Sequence, residues 1–381
     1  MRKVALPLMM PTPRRSVALG VLAVLLMGAC SIPGASAAKS PSPQASSART
    51  TGPSSSPSPS LSPAPVAGAF GVLVSSLSAS SYTVSLVGID GRVVASQVAS
   101  TPGTDTCAGA AAGIVPPPVS TSNTRVYFMD ALGVVRYLTP NGDTAQVITL
   151  PIGPARRSLF AVSPDDALMA VVVLDFIAGG AISRLYMYQL QPGGSQLLLF
   201  TQSGASTLWP TGWHGPTSLV LAKAPACTQG GGPFCCGPQE FHVVDPKTAV
   251  RRFTVGSSSC VLAGPPSPAG VVCEDTAAFA QANVLDWTGA TIHSYPVSGP
   301  APALLSPDGT QVAVGAVTAP TTTLIPASAI QSLVACAWID NTHLLSGGDV
   351  QHQSGVGDIT TGQVLPVTAQ GDCAGRIPGG L

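Results

Sequence analysis

Charge is what this sequence has least of. Asp, Glu, Lys and Arg together make up 9% of 381 residues, against roughly 25% in ordinary soluble proteins. Glutamate is reduced to Glu240 and Glu274, and aromatics to 5%. Lys and Glu, good helix formers, are scarce while Gly (41) and Pro (37) are plentiful, so the composition disfavours long helices and suits short strands joined by turns. The basic residues are scattered, with no stripe interleaved with aromatics, which argues against nucleic-acid binding.

Catalytic signatures are missing too. There is no G-x-S-x-G elbow, H-E-x-x-H pair, phosphate loop, G-x-G-x-x-G after a strand, or calcium-loop spacing of carboxylates. Most aspartates fall in turns, and no stretch offers the two facing carboxylates of a glycosidase. No catalytic, cofactor or metal residue is assigned on this basis. The five histidines (214, 242, 293, 343 and 352) are dispersed, as loop or surface residues would be.

The longest apolar run, Val17 to Ala29, has 13 residues. That falls short of the roughly 20 needed to span a bilayer and matches the apolar core of a secretory leader. Arg14-Arg15 precedes it without the bulky apolar pair of a twin-arginine signal, which favours the general secretory route; translation from Met9 or Met10 gives a more ordinary leader. The leader ends in "LMGAC", which resembles a bacterial lipobox, with Met27 where Leu is usual. The resemblance implies a signal peptide over 1–29 and a diacylglycerol thioether on Cys30, hence a lipoprotein anchored to the membrane outside the cytoplasm. Cleavage after Ala35-Ser36-Ala37, releasing a secreted protein, is the alternative. Loss of Arg2, Lys3, Arg14 and Arg15 with the leader takes the basic count from 17 to 13 against 17 acidic residues, a net −4.

Residues 30–68 are rich in Ser and Pro and nearly devoid of large apolar side chains. Such a segment buries too little surface to offset its ordering entropy, and is expected to be a disordered tether, open to O-glycosylation.

From 69 to 381 the chain is punctuated by hairpins. "LVGIDGRVVASQV" (86–98), "YLTPNGDTAQVITL" (137–150), "MYQLQPGGSQLLLF" (187–200), "HVVDPKTAVRRFTV" (242–255), "VLDWTGATIHSYPV" (284–297) and "GDITTGQVLPV" (357–367) each set a turn pair between β-prone runs. Successive turns at 90, 141, 193, 246, 288 and 361 stand 51, 52, 53, 42 and 73 residues apart, the last gap holding an eroded hairpin over 321–332. A second motif precedes the hairpins: "STSNTRVYF" (120–128), "SPDDALMAV" (163–171), "WHGPTSLVL" (213–221), "SPDGTQVAV" (306–314) and "WIDNTHLLS" (338–346) align without gaps, each a four-residue turn leading into an alternating strand. "PSPAGVVCE" (266–274) is a looser copy.

Four short antiparallel strands every 40 to 50 residues mark a β-propeller blade. The two "SPD" copies, Ser163–Asp166 and Ser306–Gly309, resemble those of TolB-like and WD40-like propellers of bacterial envelopes, which implies an all-β propeller acting through a partner. The spacing predicts seven blades, with six as the alternative, and a two-sheet sandwich leaves the repeat unexplained. "GDCAGRIPGG" (371–380) echoes "DTCAGAAAG" (105–113), so the carboxyl end is expected to supply the innermost strand of the first blade.

Eight cysteines remain beside Cys30, which implies disulfides in an oxidising compartment. Cys260 with Cys273 flank one turn; Cys107 with Cys373 sit in the echoed segments and are expected to pin the ring; Cys227 with Cys235 or Cys236 would staple the loop of the fourth blade, leaving one of that adjacent pair for the distant Cys336. Trp213 and Trp338 share one repeat position, as blade packing requires. The functional alternative is a binding face near the channel made by Trp209, Trp213, His214, Trp338 and His343. The resulting expectation is a monomeric binding or scaffolding module with an envelope protein or glycan as partner and a lipid anchor in the membrane; a propeller hydrolase or lyase on glycans or peptides is the alternative.

Overall fold

The computed structural model describes residues 68–381 except 79, 104–106, 108–112, 114, 228–237, 239, 278, 298–302, 315–316, 322–327, 330–332 and 350. Cys30, the leader, the tether, Cys235 and Cys236 lie outside the described residues.

Twenty-eight strands form seven four-stranded antiparallel sheets. The seven innermost strands are Asp372–Ile377, Val119–Thr121, Arg156–Val162, Ser206–His214, Cys260–Leu262, Ala303–Leu305 and Ala335–Trp338. They neighbour one another around a central channel, which makes the protein a seven-bladed β-propeller. The six hairpins read from the sequence are the outer pairs of blades one to five and seven; the eroded one, Val317–Pro320 with Ser328–Ala329, belongs to blade six.

Blade one is closed by the last strand in the chain. Asp372–Ile377 pairs antiparallel with Phe70–Ser78 in the register Phe70↔Ile377 and Val74↔Asp372. Gly371 permits the close approach: its φ is +125°, and a Cβ there would strike the Val74 carbonyl. Cys336 of blade seven is bonded to Cys373 of this closing strand, their Cα atoms 5.8 Å apart. Cys373 therefore does pin the ring, but not to Cys107. The innermost strand of blade two is Val119–Thr121, so Cys107 lies upstream of it, in the connection from blade one, and is bonded to Cys227 of blade four. That bond also replaces the expected pairing of Cys227 with Cys235 or Cys236. Cys260 and Cys273 are bonded to each other between the first two strands of blade five.

The apolar core is a set of wedges between blades. Val72, Leu86, Val126 and Phe128 fill the space between blades one and two, and Leu73, Ile339, Leu345 and Val356 that between seven and one. This explains a departure from the expected alternation. Second strands such as Val126–Met129 are buried at every residue, because both faces of the blade pack on neighbours. The outermost strands carry most of the solvent-facing positions.

Those outer edges carry a repeated device. In blades one to five the outermost strand holds one extra residue opposite its partner: Val94, Val147, Leu199, Arg252 and Ile292. A bulge of this kind bends an edge strand and makes it a poor template for another chain.

Candidate functional site

The turns between first and second strands lie at one end of the channel, and their chemistry is structural. In "SPDG", Asp308 Oδ1 accepts from Ser306 Oγ (2.7 Å) and the Thr310 amide (3.0 Å), while the Gln311 amide donates to Ser306 Oγ (3.0 Å). In "SPDD", Asp165 and Ser163 repeat the pattern toward Ala167 and Leu168. These donors hold the Asp308 carboxyl below its usual range even though burial alone would raise it. The fourth position has positive φ in both copies, 75° at Gly309 and 61° at Asp166. Asp166 tolerates this region because its carboxylate is engaged: it accepts from Tyr127 Oη and Thr124 Oγ1, each at 2.7 Å, and lies 3.6 Å from Arg125 Nε. Adjacent blades are tied by the same corners, through the Asp308 amide donating to Asn341 Oδ1 (3.1 Å) and the Asn123 amide to the Pro164 carbonyl (3.0 Å).

The five residues singled out in the sequence do not assemble into one face. Trp213 is fully buried and donates through Nε1 to the Ala161 carbonyl of the preceding blade (3.4 Å); Trp338 does the same to Leu304 (3.0 Å). Their shared repeat position is thus a joint between blades. His214 Nδ1 lies 2.7 Å from the Leu381 carbonyl oxygen and its ring stacks on Trp287 at 5.3 Å. Residues 379–381 cross this end of the channel, where the Leu381 amide donates to the Trp213 carbonyl (2.6 Å). They help line a small cavity of about 120 Å³ that also borders Arg376. Burial lowers the Arg376 pKa, with nearby Asp340 acting in the opposite sense. His343 is held by Asp340, with Nδ1 at 2.9 Å from both carboxylate oxygens.

Trp209 alone of the five borders the large cavity, about 780 Å³, at the other end of the channel. Five innermost strands contribute to it, from blades one to five. Phe160, Trp209, Phe241 and Phe279 supply rings, and prolines from four segments (116–118, 210, 238 and 265–266) complete much of the rest. Arg157 and Glu274 are the charged residues among the described lining, 7% and 5% exposed. Arg157 Nη2 donates to the Gly103 carbonyl, drawing the blade one–two connection toward the mouth. The cysteine bridge between Cys107 and Cys227 holds that same connection onto blade four.

Sequence reasoning missed Arg157, Glu274 and the prolines. Glu274 stood out only as one of two glutamates, and the Pro-Pro runs only as loops. Which loops converge depends on the ring closure, and no local pattern carries it.

No family model and no curated protein sequence matches the chain. Among solved structures, dihydro-heme d1 dehydrogenase NirN in complex with DHE is 16% identical, with 84% of this chain and 77% of that one covered and a TM-score of 0.46. A mitotic checkpoint complex structure gives 11% identity, 73% and 85% coverage and a TM-score of 0.44. BamB from Moraxella catarrhalis gives 14%, 83% and 84%, and 0.38. Likeness at this level concerns the fold alone.

Proposed function

We propose that the chain is a lipid-anchored, extracytoplasmic binding module of the cell envelope, which takes its ligand at the wide mouth of the propeller channel. The carrying observation is the 780 Å³ cavity to which five blades contribute; its size and mostly apolar walls are those of a binding pocket. The leader over 1–29, Cys30 in "LMGAC" and the tether over 30–68 support export and anchoring. Three disulfides support an oxidising compartment.

Binding is favoured over hydrolysis because Glu274 is the one carboxylate among the described lining residues, and glycoside hydrolysis by an acid–base pair needs two.

Two measurements test this. Cys30→Ser should move the protein from the membrane fraction to the soluble one; unchanged membrane association defeats the anchor. A photo-crosslinker at Thr211, in the cavity wall, should retain an envelope component without chemical change. Turnover of a polysaccharide or peptide, abolished by Glu274→Gln, would establish the enzyme instead.

A further inference from the structure

The walls of the wide cavity also restrict what it can hold. Three hydroxyls line it, and each is committed to a backbone carbonyl: Ser158 Oγ to Pro151 (2.6 Å), Thr211 Oγ1 to Trp209 (3.3 Å) and Thr276 Oγ1 to Ser258 (3.2 Å). Prolines 116, 117, 118, 210, 238, 265 and 266 have no backbone N–H, so those parts of the wall offer no main-chain donor. Arg157 and Glu274 bring one charge of each sign, leaving the described wall formally neutral. Arg157 is already engaged at the Gly103 carbonyl.

A ligand rich in hydroxyls would lose water and meet few free donors, at a cost for each group left unpaired. An ion would add net charge to a neutral, largely apolar enclosure, which is more costly still. Four aromatic rings and the proline rings present carbon surface instead, and about 780 Å³ lies within the range for one mid-sized molecule. We infer that the cavity is a site for a single uncharged small molecule with a hydrocarbon or aromatic body, and not for an oligosaccharide. This deepens, and rests on, the binding role proposed above.

The test uses N-phenyl-1-naphthylamine, a neutral probe that fluoresces in apolar surroundings, with the purified Cys30→Ser protein. One saturable site is expected, with the bound probe displaced by dodecanol or farnesol and not by soluble oligosaccharides. Thr211 is exposed and Val261 half-buried, so Thr211→Trp and Val261→Trp place an indole in the cavity without disturbing the wedges between blades. Each should weaken the probe about tenfold while the melting midpoint holds. Should either variant lose its melting transition, the other and Trp209→Phe serve: energy transfer from Trp209 to bound probe should fall in Trp209→Phe with one site retained. The inference is overturned if no saturable site is found, if cavity-filled folded variants bind the probe as the parent does, or if oligosaccharides displace it and the alcohols do not. Glycan turnover would defeat the binding role; failure of the probe with crosslinking at Thr211 intact would defeat only the ligand class.

Discussion

The bond between Cys336 and Cys373 offers the sharpest test of how the ring is held. The closing strand Asp372–Ile377 reaches blade one through its ladder to Phe70–Val74, and blade seven through this bond and the paired Gly348 and Gly371 just ahead of the strand. The two cysteines are 37 residues apart. In the chain-entropy account, closing a loop of that length removes enough freedom from the unfolded chain to contribute about 4 kcal/mol. Cys260–Cys273 spans 13 residues, for which the same relation gives about 3 kcal/mol. The double variant Cys336→Ala/Cys373→Ala should therefore lower the urea midpoint by more than Cys260→Ala/Cys273→Ala, with similar slopes. Location separates the two more sharply than magnitude. Hydrogen exchange should speed up over Asp372–Ile377 and the paired Phe70–Val74 in the first variant, and over Cys260–Leu262 with Val271–Asp275 in the second. A loss below about 1 kcal/mol with protection over Asp372–Ile377 unchanged would refute the reasoning and assign closure to the strand ladder and the Gly348–Gly371 bridge.

Two other outcomes are expected. Trp213→Phe and Trp338→Phe keep a ring between blades but remove the indole donor to the Ala161 or Leu304 carbonyl, and each should cost about 0.5–1.5 kcal/mol in urea denaturation; two neutral substitutions would show that the joint is packing alone. Asp358 titrates at about 2, held down chiefly by the Thr360 hydroxyl and further by the Thr360 amide and Thr361, with burial opposing. Because its folded pKa lies below the unfolded value of about 3.9, its contribution is present above that value and is lost as pH falls toward 2. Asp358→Asn should flatten the fall of the urea midpoint between pH 4 and pH 2, and an unchanged acid limb would remove Asp358 from the account.

Blade number, hairpin positions and closure by the carboxyl end were legible in the sequence. Each of these features is local: a turn needs its own Gly, Asn or Asp, and the "SPD" corner needs its own Ser and Asp. The closing strand was legible for a related reason, since blade one starts with its second strand and the missing one had to come from elsewhere. Trp213 and Trp338 were only half legible. Their equivalence was visible, but a repeat position has the same appearance whether it faces a neighbouring blade or a ligand. The distinction rests on the Ala161 and Leu304 carbonyls, which other blades supply. The same limit misdirected the pairing of Cys107, whose segment echoes the closing strand in sequence yet lies upstream of the innermost strand of its own blade.

The sequence by itself determined the repeat and the corners, because these follow from contacts a few residues apart. Only the tertiary structure decided which cysteines bond across blades and which walls meet at the channel. Arg157 and Glu274 lie 117 positions apart in the chain, and nothing in the residues around either points to the other. Closing seven twisted sheets into a ring puts both at one mouth, with prolines from four further segments.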